Sequence, residues 1–264
     1  MNPVIPGILA AALYLVGAVV QFLSDSTRKQ AVKIISLAAI ALHGTTGFLL
    51  FHTDAGFNLG LYHMLSLSML AVTTIVLLSS LYRPVDNLFI VIFPLGAIAL
   101  CLEISLTGTY VPRPVISSGM GIHIILSIFA SGLLAVAALQ AAFLSLGDYE
   151  LKHRRLSVIR RLPPLETMDA LLFEMLAAGL VFLSLSIVSG FIFLEDIRDP
   201  GLIHHTVITF AAWVVFIVLI WGRLKLGWRG AVASRWTLSG FGLLVLGYFG
   251  SKFVLEVILM NVPA

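Results

Sequence analysis

Eight long apolar runs divide the chain, at about 3–23, 31–51, 59–81, 88–106, 120–146, 170–194, 203–224 and 237–259. Each is close to the roughly 20 residues a helix needs to cross hydrocarbon. The separating segments are short and carry turn chemistry, as at Asp54-Ala55-Gly56, Arg83-Pro84 and Asp199-Pro200-Gly201. A segment in lipid must satisfy its backbone internally, so runs of this length predict helices. The expected fold is an all-α polytopic bundle of eight transmembrane helices, forming a single domain over residues 1–264. The stretch from Met1 to Ser24 has no positive residue ahead of its apolar part and no A-x-A pattern. It is expected to be the first span and not a removed signal peptide.

The polar segments alternate in charge. Arg28, Lys29 and Lys33 follow the first run, and Arg83 follows the third. Lys152, Arg154, Arg155, Arg160 and Arg161 follow the fifth, and Arg223, Lys225, Arg229 and Arg235 follow the seventh. These are thirteen of the sixteen Lys and Arg, whereas the opposite loops hold only Arg113 and Arg198. The positive-inside rule puts the odd-numbered loops in the cytoplasm, so that both termini lie outside. Cysteine introduced at Ser157 in a Cys101→Ser background is therefore expected to react with an impermeant reagent only after permeabilisation. Labelling from outside in intact cells would overturn this topology.

Composition agrees with lipid as the solvent. The chain has 264 residues, 59% hydrophobic and 11% charged, with a mean hydropathy of +1.06. Soluble domains are about a quarter charged. The sequence pI of about 9.2 reflects basic loops and does not point to nucleic acid. The lone cysteine, Cys101, excludes an internal disulfide and any CxxC haem-attachment or metal motif. No Walker A, G-x-S-x-G or H-E-x-x-H pattern occurs, so nothing favours hydrolysis or phosphoryl transfer.

Ionisable residues inside spans are rare and mark function by default. His43, His63 and His123 lie in the second, third and fifth runs, and His204 and His205 open the seventh. With the topology above all lie in the outer half of the bilayer. His43 is the deepest, about 12 Å in at 1.5 Å per residue. Neutral imidazole is a good ligand for iron, copper and zinc, and two histidines from different helices can clamp a haem edge-on. The bland alternative is that each hydrogen-bonds a neighbouring helix. His123 and His204 enter the bilayer at matching depth and form the expected axial pair for a haem b iron, with Arg113 and Lys252 as partners for its propionates. His43 and His63 form a reserve pair. Lys252 and Glu256 are spaced i and i+4, which also fits an internal ion pair, and Glu103 has the same ambiguity. The outer loop 107–119, stiffened by Pro112 and Pro114, leads into His123 as a lid or as a plain connector.

Three stretches together resemble the cytochrome c assembly superfamily. They are Gly121-Ile122-His123-Ile124-Ile125-Leu126-Ser127, then Leu162-Pro163-Pro164-Leu165-Glu166 leading to Gly179-Leu180 and Ser189-Gly190, and finally Gly227-Trp228-Arg229-Gly230 with Trp236-Thr237-Leu238-Ser239-Gly240-Phe241 and Tyr248-Phe249-Gly250-Ser251-Lys252. Within that superfamily the pattern is most similar to the YpjD-type bacterial inner membrane proteins. The resemblance implies a haem-handling protein of the bacterial inner membrane, with haem and other cytochrome c assembly proteins or an apocytochrome as partners besides lipid. It implies that His123 matches a haem-ligating histidine and that His43 matches one in an early helix. The family's tryptophan-rich loop would fall between Gly190 and His204, where this chain has no tryptophan. The implied role is thus haem binding or presentation and not a complete haem lyase. Two other classes fit the same polar groups: a small-molecule or ion transporter using Lys252, Glu256, Glu103 and the histidines, and an accessory scaffold without haem.

Overall fold

A computed structural model describes residues 2–23, 29–54, 56–106, 115–153, 163–193 and 200–259. Its helices are α1 (Val4–Phe22), α2 (Lys29–Phe51), α3 (Leu61–Ser80), α4 (Phe89–Ser105), α5 (Ser118–Lys152), α6 (Leu165–Phe193), α7 (Pro200–Leu226) and α8 (Gly230–Val245). α8 is followed by π-helical turns at Leu246–Gly250 and Val254–Leu259 flanking Ser251–Phe253. Among the described residues, eight helical segments are long and apolar enough to cross a membrane, the last running over Gly230–Ile258. The all-α, eight-span reading holds. Several helices outrun their apolar stretches: α5 continues to Lys152, and its polar end carries the i,i+4 pair Asp148–Lys152 at 2.8 Å. Such an end is stable in water, so hydropathy marks the lipid-embedded part and not the helix end.

Contacts group the chain into two compact units, residues 1–116 with 252–264, and residues 117–251. In the first, α1 packs on α2 and α4, and α3 packs on α2 and α4, closing a four-helix ring. Its interior holds Tyr14, Phe89, Ile92, Phe93 and Leu100, all fully buried. Gly17 lets α1 approach α4, since a Cβ there would lie 2.6 Å from Phe93 Cε2. A two-residue ladder, β1 (His52–Thr53) with β2 (Gly56–Phe57), joins α2 to α3. Serines and threonines inside the spans return their hydroxyls to carbonyls one turn back, as Thr46 does to Leu42 and Thr73 to Met69. The hydroxyls of Thr46 and Thr73 are thereby satisfied without water.

In the second unit the ring repeats in kind: α5 packs on α6 and α8, and α7 packs on α6 and α8. Ser117 caps α5 by accepting from Met120 N at 3.3 Å. Gly179 of α6 sits against Leu134 of α5, where a Cβ would be 2.7 Å from Leu134 Cγ. Leu134, Leu172, Leu176, Phe216 and Leu219 form the core. The turn between α7 and α8 uses Gly227 and Gly230 at φ +66° and +54°, values that suit glycine. Asp169 of α6 holds this turn. Its carboxylate accepts from Gly230 N at 3.1 Å and lies 2.9 Å from Arg223 and 3.5 Å from Arg229. Asp169→Ala is expected to lower stability by about 2–3 kcal/mol, because hydrogen bonds to charged groups contribute about 1.5–3 kcal/mol each. A thermal midpoint in detergent equal to that of the parent chain would overturn this.

Candidate functional site

The histidines expected in the outer half of the bilayer divide between the two units, and the protein treats each differently. His43 of α2 is fully buried. Its Nδ1 lies 3.0 Å from the Tyr14 hydroxyl of α1, and its Nε2 lies 2.8 Å from Ser66 Oγ of α3. Both ring nitrogens are engaged, so His43 ties three helices together. Ligating a metal would require release of Tyr14 or Ser66.

His63 stands differently. It is in the first turn of α3, 2% exposed, and its Nδ1 lies 2.5 Å from Glu103 Oε1, near the end of α4. The ring stacks on Phe51 with centroids 5.7 Å apart. Its Nε2 and the second carboxylate oxygen of Glu103 are buried without a hydrogen-bond partner. Buried polar atoms are nearly always satisfied, so two orphans at one site call for a ligand.

Lys252 and Glu256 belong to this first unit. The ion pair expected from their spacing forms, at 3.2 Å. Each also grips the chain just ahead of α3: Lys252 Nζ donates to the Leu59 carbonyl, and Glu256 Oε2 accepts from Leu61 N at 2.8 Å. A carboxylate on an unsatisfied N–H of the first turn is a helix cap supplied from another part of the chain. The pair thereby fixes the turn that carries His63.

In the second unit His123 is half-buried near the start of α5. Its Nδ1 lies 2.9 Å from the Ser186 carbonyl and 3.2 Å from Ser189 Oγ, both on α6. The carbonyl can only accept, so Nδ1 carries the proton and Nε2 presents its lone pair. No hydrogen bond to that Nε2 occurs among the described residues. His204, near the start of α7, is exposed. Its neighbour His205 is partly buried, with Nδ1 3.0 Å from the Gly247 carbonyl and its ring edge-on to Tyr248. Arg113 lies outside the described residues. Among the described residues no group of three or more His, Cys, Asp or Glu converges to hold a bare metal ion.

The sequence singled out His63, His123, Glu103 and the 252/256 pair as costly polar groups, but not the serines of α6 that orient His123. The spacing of Ser184, Ser186 and Ser189 in an apolar run was the available signal.

Comparison with known proteins decides the family. The model for "Cytochrome C assembly protein" matches residues 6–259. The chain belongs to the cytochrome c assembly family. Among its relatives is the inner membrane protein YpjD of Escherichia coli K12, 31% identical over 205 residues, covering 78% of each chain. Protein HemX of Brevibacillus brevis is 28% identical over 131 residues, covering 48% of each. No solved structure matches. The resemblance read from the three motif stretches therefore holds, and the chain is a multi-pass inner membrane protein of this family.

Proposed function

We propose that this chain binds haem b within the membrane and presents or passes it at the outer face, in cytochrome c maturation or haem trafficking, with residues 1–264 acting as one transmembrane domain. The observation that carries the reading is shared by His63 and His123: in each, Nδ1 is fixed by the protein while Nε2 is left without a partner among the described residues. Metal-ligating histidines have this arrangement, because the hydrogen bond at one nitrogen fixes the tautomer and ring orientation at the other. A haem needs only axial ligands from the protein, which suits sites where no third metal-binding side chain converges. In the second unit His123 is one ligand, and His204, exposed at the start of α7, is its partner. In the first unit His63 is the ligand, and His43 keeps its helices in place. When bound, haem supplies an iron centre to be delivered or to exchange electrons. An apocytochrome or other assembly proteins are the partners this function needs.

The test is the absorbance spectrum of the protein purified in detergent. A Soret band that survives gel filtration is expected. Its absence after haem addition to well-folded protein would overturn the reading and leave a transporter or a scaffold.

A further inference from the structure

The two open imidazoles differ in what stands behind them. His123 is backed by neutral groups, the Ser186 carbonyl and the Ser189 hydroxyl. His63 is backed by a carboxylate at 2.5 Å, with the two side chains 1% and 3% exposed. Glu103 has no other ion pair or hydrogen bond among the described residues, and its Oε2 is an orphan. A carboxylate in so dry a place costs stability unless paired, and its pairing is committed to the nitrogen of His63 that a metal would not use.

We infer that Glu103 is a positioning residue which makes His63 a stronger iron donor than His123, so that the haem of the first unit has the lower reduction potential. This deepens the haem reading and rests on it. A hydrogen-bonded carboxylate raises the basicity of a ligating imidazole more than a carbonyl does. Stronger donation stabilises ferric over ferrous iron, and such hydrogen bonding around the axial ligand is one of the protein's means of setting potential. The cap that Glu256 places on Leu61 N holds the first turn of α3, so the ring cannot drift from the carboxylate. One donor with no convergent second or third side chain suits a metal that brings its own equatorial ligands, and so a metalloporphyrin.

The experiment separates the two haems by mutation. His123→Ala/His204→Ala leaves the His63-dependent haem, and His63→Ala leaves the other. Glu103→Gln is then placed in each background. In the first, it is expected to raise the midpoint potential, lower the ferrous iron–histidine stretching frequency and weaken haem retention about 10–100-fold, the usual cost of losing a partner behind a ligand. Glu103→Asp, which keeps the charge, should hold the stretch near its parent value. In the His63→Ala background Glu103→Gln should change nothing, and the intact His123 spectrum there reports that the protein has folded. A His63-dependent haem whose potential, stretch and retention ignore Glu103→Gln overturns the inference alone. Haem bound with no dependence on His63 overturns it and the assignment of His63 together, while the His123 reading stands.

Discussion

Replacing His123 and His204 together by Ala is expected to remove the haem proposed for the second unit without loss of helical content or membrane insertion. What remains should depend wholly on His63. The argument begins with orientation. His123 Nδ1 is held by the Ser186 carbonyl and Ser189 hydroxyl, so substitution removes the only ring nitrogen left open at that position. Little packing is lost, because the ring is half-buried and makes no part of the α5–α6 core. His204→Ala alone should weaken or shift the band less than His123→Ala, since the exposed His204 ring has no such orienting bonds. His153→Ala and His52→Ala are controls, both exposed and bonded only to local carbonyls. His43→Ala should behave in the opposite way. It removes the His43 ring to which the Tyr14 hydroxyl and Ser66 Oγ bond inside the first unit, so it should lower stability by about 2–4 kcal/mol, a buried cavity and an unmet hydrogen bond acting together. A haem spectrum unchanged in the His123→Ala/His204→Ala protein would sink this pairing and move the whole site to His63.

The eight helices were legible because each is an uninterrupted apolar run, and because lipid leaves a chain few other ways to satisfy its backbone. The division into two four-helix units was not. Both draw on the same apolar composition, and the ring of neighbours is set by close approaches such as Gly17 on Phe93 and Gly179 on Leu134, which no periodicity reveals. The site was half legible for a related reason. A histidine in an apolar run is conspicuous, so His43, His63 and His123 stand out, but whether it is satisfied depends on other helices. Tyr14 and Ser66 close both nitrogens of His43, whereas Glu103 closes only one of His63. Nothing in the sequence ties position 63 to position 103. Lys252 and Glu256 show the same limit. Their spacing announces a pair, yet their grip on Leu59 and Leu61 joins positions 193 and 195 residues apart.

That grip shapes the last expectation. Lys252→Met should lower stability by about 3 kcal/mol, the low end for breaking a buried pair, because Lys252 is a fifth exposed while Glu256 is 8% exposed. Glu256→Leu should cost at least as much, since it removes the ion pair and also the acceptor for Leu61 N. If the pair acted only through its charges, Lys252→Met/Glu256→Leu would recover most of the loss. The structure argues for partial recovery, because the double replacement still leaves Leu61 N–H and the Leu59 carbonyl without these partners. Lys252→Met/Glu256→Gln should recover more, for a glutamine oxygen accepts from Leu61 N without a charge to compensate. Thermal midpoints of the four variants measure this ordering. Where His63 holds haem, the leucine double variant should also loosen it, because the turn that carries the ring has lost its cap. Equal midpoints for the leucine and glutamine doubles would show that the capping bond contributes nothing, and that the pair stabilises the first unit through its charges alone.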